Sequence, residues 1–202
     1  MEASISQAFC NFGTATIHEA MGMKGALDWN IKPLARGMKF CGPATTVLAQ
    51  SGDNLVLHRA IYEAKPGDVL VIAATNGDSW GYWGEVMTTA AQQRGLAALV
   101  IEGGVRDSEQ IIRIGFPVFS RAICIRGTEK LLEGRINCSI NIGGVVIHPG
   151  DIVVGDDDGV VAFPAKCIDT LEEDCKRRIK KEEEMMEKLK QGVTTLELLN
   201  IK

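Results

Sequence analysis

The sequence predicts an α/β fold, and three observations lead to it. Through the middle of the chain, apolar β-branched runs alternate with segments of helical pattern. From Asn137 to Phe163 the pattern changes to short strands separated by Gly, Pro and Asp turns. The last stretch, from about 165 to 202, is helical in pattern and reads as a C-terminal extension. No low-complexity linker divides the 202 residues, so the expectation is one domain, 1–202.

The elements follow in order. Thr14 to Met21 looks like a helix, ended by Gly22. After the Pro- and Gly-punctuated stretch from Lys32 to Pro43 comes ATTVLAQ, a β-branched run that reads as a strand. Asn54 to Ala64 is helix-like and stops at Pro66-Gly67. DVLVIAAT, a near-continuous apolar run, then reads as a strand buried on both faces. GEVMTTAAQQRG is a helix, LAALVIEG a buried strand, and DSEQIIRIG a short helix whose Asp107 and Gln110 resemble a capping box. FPVFSRAI is a further strand. PGDVLVI and PGDIVVG repeat a turn-to-strand entry, which does not establish a duplication.

Composition excludes several classes. A hydrophobic share of 46% with 24% charged residues is an ordinary globular balance. The formal net charge of −4 argues against a general nucleic-acid binder. No segment approaches the apolar length needed to cross a bilayer, and MEASISQAFCNFGTA lacks the basic start and apolar core of a secretory signal. Cytoplasm is the expected location. Cys10, Cys41, Cys124, Cys138, Cys167 and Cys175 form no C-x-x-C pair, so reduced core thiols are expected rather than a disulfide framework or zinc site. The basic run Lys176 to Lys181, followed at once by Glu182, Glu183 and Glu184, reads as a solvated helix face.

The C-terminal helix carries a stripe of Ile168, Leu171, Cys175, Ile179, Met186 and Leu189, with Glu182 on the same seam. A charged residue on an apolar seam is anomalous, and a narrow stripe on a terminal helix suits a subunit contact.

The strongest constellation is Gly84 to Asp107, GEVMTTAAQQRGLAALVIEGGVRD. Gly84 and Glu85 open a helix after the loop GDSWGYWG, and free N–H groups at that start attract a small anion such as a carboxylate. The next strand ends at Gly103-Gly104, with Arg106 and Asp107 directly after it, where open α/β folds place ligands. Against this stand plainer readings: Asp107 as the N-cap of the following helix, Arg106 paired with Glu102 or Glu109, and Glu85 as an ordinary first-turn acid. DDDG, Asp156 to Gly159, is expected to be a hairpin turn rather than a metal cluster. His18, His58 and His148 have no zinc-ligand spacing, and neither a phosphate-binding loop nor a serine-hydrolase elbow is present.

Over nearly its whole length the chain resembles the RraA-like family, in particular its 4-hydroxy-4-methyl-2-oxoglutarate/4-carboxy-4-hydroxy-2-oxoadipate aldolases. The resemblance rests on GTATIHEA, GDN at Gly52 to Asn54, PGDVLVI, GYWGE, RGLAALVIEGGVRD and PGDIVVGDDDGVV. It includes an acid, twenty residues, then Arg-Asp: Glu85, Val86 to Val105, then Arg106-Asp107. Such aldolases usually carry Asp at the first acid, where this chain has Glu85. Regulators of ribonuclease activity in the same superfamily typically lose the Asp after the Arg, which this chain keeps as Asp107.

The resemblance implies the swivelling β/β/α architecture, a β-rich core flanked by helices, assembled as a homotrimer or a hexamer of two trimers, with the C-terminal helix reaching a neighbouring subunit. It implies that Asp107 ligates Mg²⁺ or Mn²⁺, that Glu85 holds a water on that metal, and that Arg106 binds the keto-acid oxygens. The backbone at Gly84, Val86 and Met87 is then expected to receive a pyruvyl carboxylate, with Asn54 nearby. Ungapped register makes Glu182 the acid a neighbouring subunit supplies, with Glu183 the alternative. The implied activity is metal-dependent retro-aldol cleavage of 4-hydroxy-2-keto diacids to pyruvate, with oxaloacetate decarboxylation through the same enolate. The expected partner is a small 2-keto acid, with neither nucleic acid nor membrane. The alternative is a non-enzymatic regulator that binds a ribonuclease through its surface.

Overall fold

A computed structural model describes residues 8–201. The expectation about a secretory signal therefore falls in part on residues outside those described. Strands and helices alternate from β1 (Lys32–Pro33) and β2 (Phe40–Ala49) through α2 (Leu55–Glu63), β3 (Val69–Ala74), β4 (Gly81–Trp83), α3 (Glu85–Gln93), β5 (Ala98–Val105), α4 (Ser108–Ile114) and β6 (Val118–Ile123). A helix, α1 (Thr14–Ala20), precedes them. The later β region holds β7 (Arg135–Ile136), β8 (Ile140–Ile142), β9 (Val145–Ile147), β10 (Ile152–Asp156) and β11 (Gly159–Phe163). Two helices end the chain, α5 (Ile168–Lys190) and α6 (Thr195–Leu199).

One large sheet runs β1-β6-β5-β3-β2-β10-β11, with β4 on β5 and β7 on β2. Strands β2, β3, β5 and β6 are parallel, so each needs a crossover, and α2, α3 and α4 lie in those crossovers. β10 enters antiparallel to β2 and returns as β11. The two ends of the sheet then meet. Ala26 bridges Val161, Leu27 donates to the Val160 carbonyl at 2.9 Å, and Lys32 Nζ reaches the Asp158 carbonyl. The result is a nearly closed sheet with helices around it.

Strand alternation explains the near-continuous apolar runs. Leu70 and Ile72 of β3, with Leu99 and Ile101 of β5, face outward onto Leu57, Ile61, Met87, Ala91 and Ile111 of the crossover helices. Val69, Val71, Ala98 and Val100 face inward onto Phe40, Phe119, Ile140, Ile142 and Val153. A third cluster, Phe9, Ile17, Val161, Phe163, Leu171 and Cys175, seats α1 and α5 against β10 and β11. Fully burying such a side chain stabilises the fold by about 1.5–3 kcal/mol.

The DDDG turn is structural, as expected. Asp156 pairs with Gly159 across the β10–β11 hairpin. The Asp156 carboxylate accepts from Thr14 N at 2.8 Å and from Thr14 Oγ1 at 2.6 Å, fixing the start of α1. All six cysteines are free thiols. Only the first half of the α5 stripe is covered: Leu171 and Cys175 are buried, whereas Met186 and Leu189 are exposed. Burial, with Asp174 and Glu172 beside it, pushes the Cys175 thiol up to about 11.

Candidate active site at the ends of three parallel strands

β4, β5 and β6 end side by side. Arg106 N–H donates to the Trp83 carbonyl at 2.8 Å, and Cys124 N–H donates to the Val105 carbonyl at 2.8 Å. Arg106 and Asp107 therefore leave a rigid edge. Asp107 adopts φ 55°, ψ 38°, a left-handed conformation that costs an ordinary residue about 1–3 kcal/mol and that Asp tolerates better than most.

That backbone corrects the capping-box expectation. Asp107 occupies the cap position of α4, yet its side chain makes no cap hydrogen bond there. The left-handed turn swings the carboxylate away from its own helix, and Oδ2 accepts Glu85 N–H at 3.0 Å instead. Asp107 thus binds the N-terminus of α3, where a negative charge is favoured. The close approach explains Gly84: a β-carbon there would stand 2.3 Å from Asp107 Oδ2 and 3.3 Å from Arg106 Cγ.

Side chains fix the start of α3. Trp83 Nε1 donates to Thr88 Oγ1 at 2.7 Å, and Thr88 Oγ1 donates to the Gly84 carbonyl at 3.0 Å. The N–H groups of Val86 and Met87 lie in the first turn, where no carbonyl of the same helix can reach them. Met87 is buried, and the Val86 side chain is exposed.

Arg106 Nε lies 3.9 Å from Asp107 Oδ2, and the two side chains are 49% and 40% exposed. A pair so long and so wet is weak, so neither group is consumed by the other. Among the described residues, neither pairs with Glu102 or Glu109. Glu102 holds Arg121 at 2.9 Å, and Glu109 holds Arg113 at 2.6 Å. The Glu85 side chain is exposed on the same rim.

Asn54 sits behind α3. Its Nδ2 donates to the Tyr82 carbonyl at 2.9 Å and lies 3.6 Å from Met87 Sδ. Its Oδ1 is buried and accepts no hydrogen bond among the described residues, an orphaned polar atom beside the first turn of α3. Asp53 anchors that segment by accepting from Leu55, Leu131 and Leu132 N–H at 2.9, 2.6 and 3.0 Å. Burial pushes its carboxyl up, but those three N–H donors and Lys130 outweigh burial and hold it below the usual range.

Glu182 stands elsewhere in the chain. It lies on α5, which packs against α1, and its carboxylate pairs with Arg178 at 2.8 Å. Arg178 also bridges to Glu19 of α1. None of the contacts described around Arg106 involves α5. Among the described residues no three His, Cys, Asp or Glu side chains gather as a metal-binding group, and His18 and His148 instead bond the Lys24 carbonyl and Ser139 Oγ. A cleft of about 460 Å³ lies at the ends of β2 and β3, but its lining includes neither Arg106 nor Asp107.

The sequence pattern singled out neither Thr88 nor Arg126, and it reached Trp80 and Tyr82 only as members of the loop before α3. Tyr82 Oη ties the site to Gly52 N–H at 2.8 Å, and Arg126 O accepts Gly81 N–H at 2.8 Å. The rule that nominated the end of β5 applies equally to the end of its neighbour β6, and would have reached Arg126.

Residues 14–162 match the family model described as RraA-like, Aldolase/RraA. A protein of Halalkalibacterium halodurans, provisionally named a 4-hydroxy-4-methyl-2-oxoglutarate aldolase, is 40% identical over 156 residues, covering 77% of this chain and 74% of its own. An uncharacterized protein from Pseudomonas syringae pv. tomato superposes with a TM-score of 0.85 at 25% identity, over 96% of this chain and 92% of that one. The RNA-processing inhibitor RraA of Thermus thermophilis superposes with a TM-score of 0.69 at 22% identity, over 75% of this chain and 92% of that one. That last likeness concerns the fold alone.

Proposed function

The chain belongs to the RraA-like family, Aldolase/RraA, and from that premise we propose that it cleaves 4-hydroxy-2-keto diacids to pyruvate. The observation that carries the reading is the left-handed Asp107, whose carboxylate is tied to the N-terminus of α3 beside a half-exposed Arg106. A cation, a carboxylate with an open oxygen and a helix N-terminus share one rim.

The donor set fits a hard divalent cation. Asp107 Oδ1 has no hydrogen-bond partner among the described residues, Glu85 is exposed nearby, and Mg²⁺ or Mn²⁺ takes few protein oxygens and keeps several waters. Asp107 would hold it directly and Glu85 through a water. When bound, such a cation supplies Lewis-acid polarisation of the 2-keto group.

The residues do the rest. The N–H groups of Val86 and Met87 receive the pyruvyl carboxylate at the positive end of α3, with Gly84 giving the approach room. Asn54 supports that turn from below. Arg106 donates to the 2-keto oxygen, where negative charge develops as the C3–C4 bond breaks. The proton of the 4-hydroxyl passes to a carboxylate at the rim, Glu85 or Glu182 of a neighbouring subunit, as C4 becomes a carbonyl. The bonding pair becomes the enolate of pyruvate, and protonation at C3 completes it. Oxaloacetate releases CO₂ to leave the same enolate.

One chain leaves Arg106 and Asp107 open to water, which supports a second wall from another subunit in a trimer or a hexamer. The regulator reading draws on the fold likeness to the Thermus protein, but a binding surface gives no reason for Asp107 to hold a left-handed turn.

The test is pyruvate release, coupled to lactate dehydrogenase, from 4-hydroxy-4-methyl-2-oxoglutarate and from oxaloacetate, with Mg²⁺, Mn²⁺ or EDTA. Turnover that EDTA abolishes and Arg106→Ala lowers by about 10²-fold or more is expected. No turnover with either substrate and metal would move the regulator reading to first place.

A further inference from the structure

Arg126 takes no part in the chemistry above, yet it stands beside it. It leaves the chain just past β6, next to where Arg106 leaves β5, and Gly81 of β4 joins the two. Gly81 N–H donates to the Arg126 carbonyl at 2.8 Å. A β-carbon at Gly81 would stand 3.3 Å from Arg106 Cβ and 3.4 Å from the Arg126 carbonyl oxygen. From the other side, a β-carbon at Gly127 would stand 3.7 Å from Arg106 Nη1. The Arg106 guanidinium thus lies along the backbone of residue 127, one position from Arg126.

The Arg126 guanidinium stacks on an aromatic ring. Its Cζ lies 5.0 Å from the centroid of the Trp80 ring. That ring rests on Gly52, where a β-carbon would meet two ring atoms at 3.1 Å. Stacking fixes the plane of the guanidinium and leaves its N–H donors at the edge, free to bind. Among the described residues Arg126 forms no salt bridge, whereas Arg106 faces Asp107. Glu129 and Lys130, further along the same loop, carry opposite charges. A second guanidinium on this rim, without a carboxylate of its own, matches a ligand with a second negative group.

We propose that Arg126 is a specificity-determining residue: stacked on Trp80, it receives the distal carboxylate of a dicarboxylic 2-keto acid whose keto-acid end lies at Arg106 and α3. This rests on the function proposed above for that site. Monocarboxylic 2-keto acids, lacking the second group, leave Arg126 unused.

The experiment is calorimetric titration of the full chain, in Mg²⁺, with 2-oxoglutarate and with 2-oxopentanoate, for wild type and Arg126→Gln. These ligands share a five-carbon 2-keto acid and differ at the distal carboxylate. Wild type is expected to prefer the diacid by about 10-fold or more, as charge-assisted hydrogen bonds warrant. Arg126→Gln should erase that preference and leave the monoacid affinity unchanged. A preference that survives in Arg126→Gln overturns the proposal, as does a wild type that binds neither ligand or both equally. If Arg126→Gln erases the preference but wild type releases no pyruvate from 4-hydroxy-4-methyl-2-oxoglutarate, the diacid subsite stands and the lyase reading falls.

Discussion

Asp107 is the residue on which the site turns. Its two jobs, accepting Glu85 N–H and presenting a free oxygen, both follow from a left-handed backbone that most side chains resist. Asp107→Ala should therefore cut pyruvate release by about 10²-fold or more while the chain still folds, checked by turnover alongside circular dichroism. Gly84→Ala tests the same contact from the other side. A β-carbon 2.3 Å from Asp107 Oδ2 must push the carboxylate aside. A displacement of about 1 Å can lower turnover by about 10²-fold, so Gly84→Ala should approach the loss seen for Asp107→Ala. Wild-type activity in Gly84→Ala would remove this contact from the mechanism. The sequence points to the start of α3 and the Arg106-Asp107 pair as one constellation, and the structure brings them together. The one-dimensional pattern marks Arg106 and Asp107 as a pair after a strand, but which way a carboxylate turns depends on φ at one residue.

At the scale of elements, two carboxylates act as clamps between segments far apart in sequence. Asp53 ties the turn before α2 to Leu131 and Leu132, and Asp156 ties the β10–β11 hairpin to Thr14 at the start of α1. Asp53→Asn should lower stability at neutral pH by about 1–3 kcal/mol, because a neutral amide accepts more weakly from three N–H groups. Since the folded carboxyl titrates below its usual range, its contribution is present above about pH 4, the unfolded value, and disappears as pH falls through the folded one. The gap between wild type and Asp53→Asn in urea unfolding should accordingly close in acid. A gap that persists there would show that the clamp works by shape rather than charge. Most element types were readable in advance, because each apolar run of β2, β3, β5 and β6 has length and β-branching suited to a buried strand. The short strand β4 was not. Gly81, Tyr82 and Trp83 read as loop, and they form a strand only because the edge of β5 is there to pair with them.

For the whole molecule, the rim at Arg106 and Asp107 is open to solvent in one chain. Glu182 pairs within its own helix, and the second half of α5 leaves Met186 and Leu189 exposed. The expected outcome is that an inactive Asp107→Ala chain mixed with an inactive Glu182→Ala chain regains part of its activity after subunit exchange. No recovery would confine the site to one chain. The first half of α5 has a separate, structural role: Leu171→Ala should cost about 2–5 kcal/mol by opening a cavity in the cluster with Phe163 and Ile17, measurable by denaturant unfolding.

The α/β class and the order of the main elements were legible in the sequence, which also marks Arg106 and Asp107 as a pair after a strand. These depend on local pattern: strand and helix periods, turn residues, and a motif whose spacing survives in one dimension. Folding in three dimensions adds that the sheet nearly closes through Ala26 and Val161, that Asp107 binds α3 rather than capping α4, and that Arg126 stacks on Trp80 beside Arg106. Each depends on where a strand edge or a side chain comes to lie in the folded chain. Strand order and backbone dihedrals bring them together, and both are settled by packing between segments rather than within one.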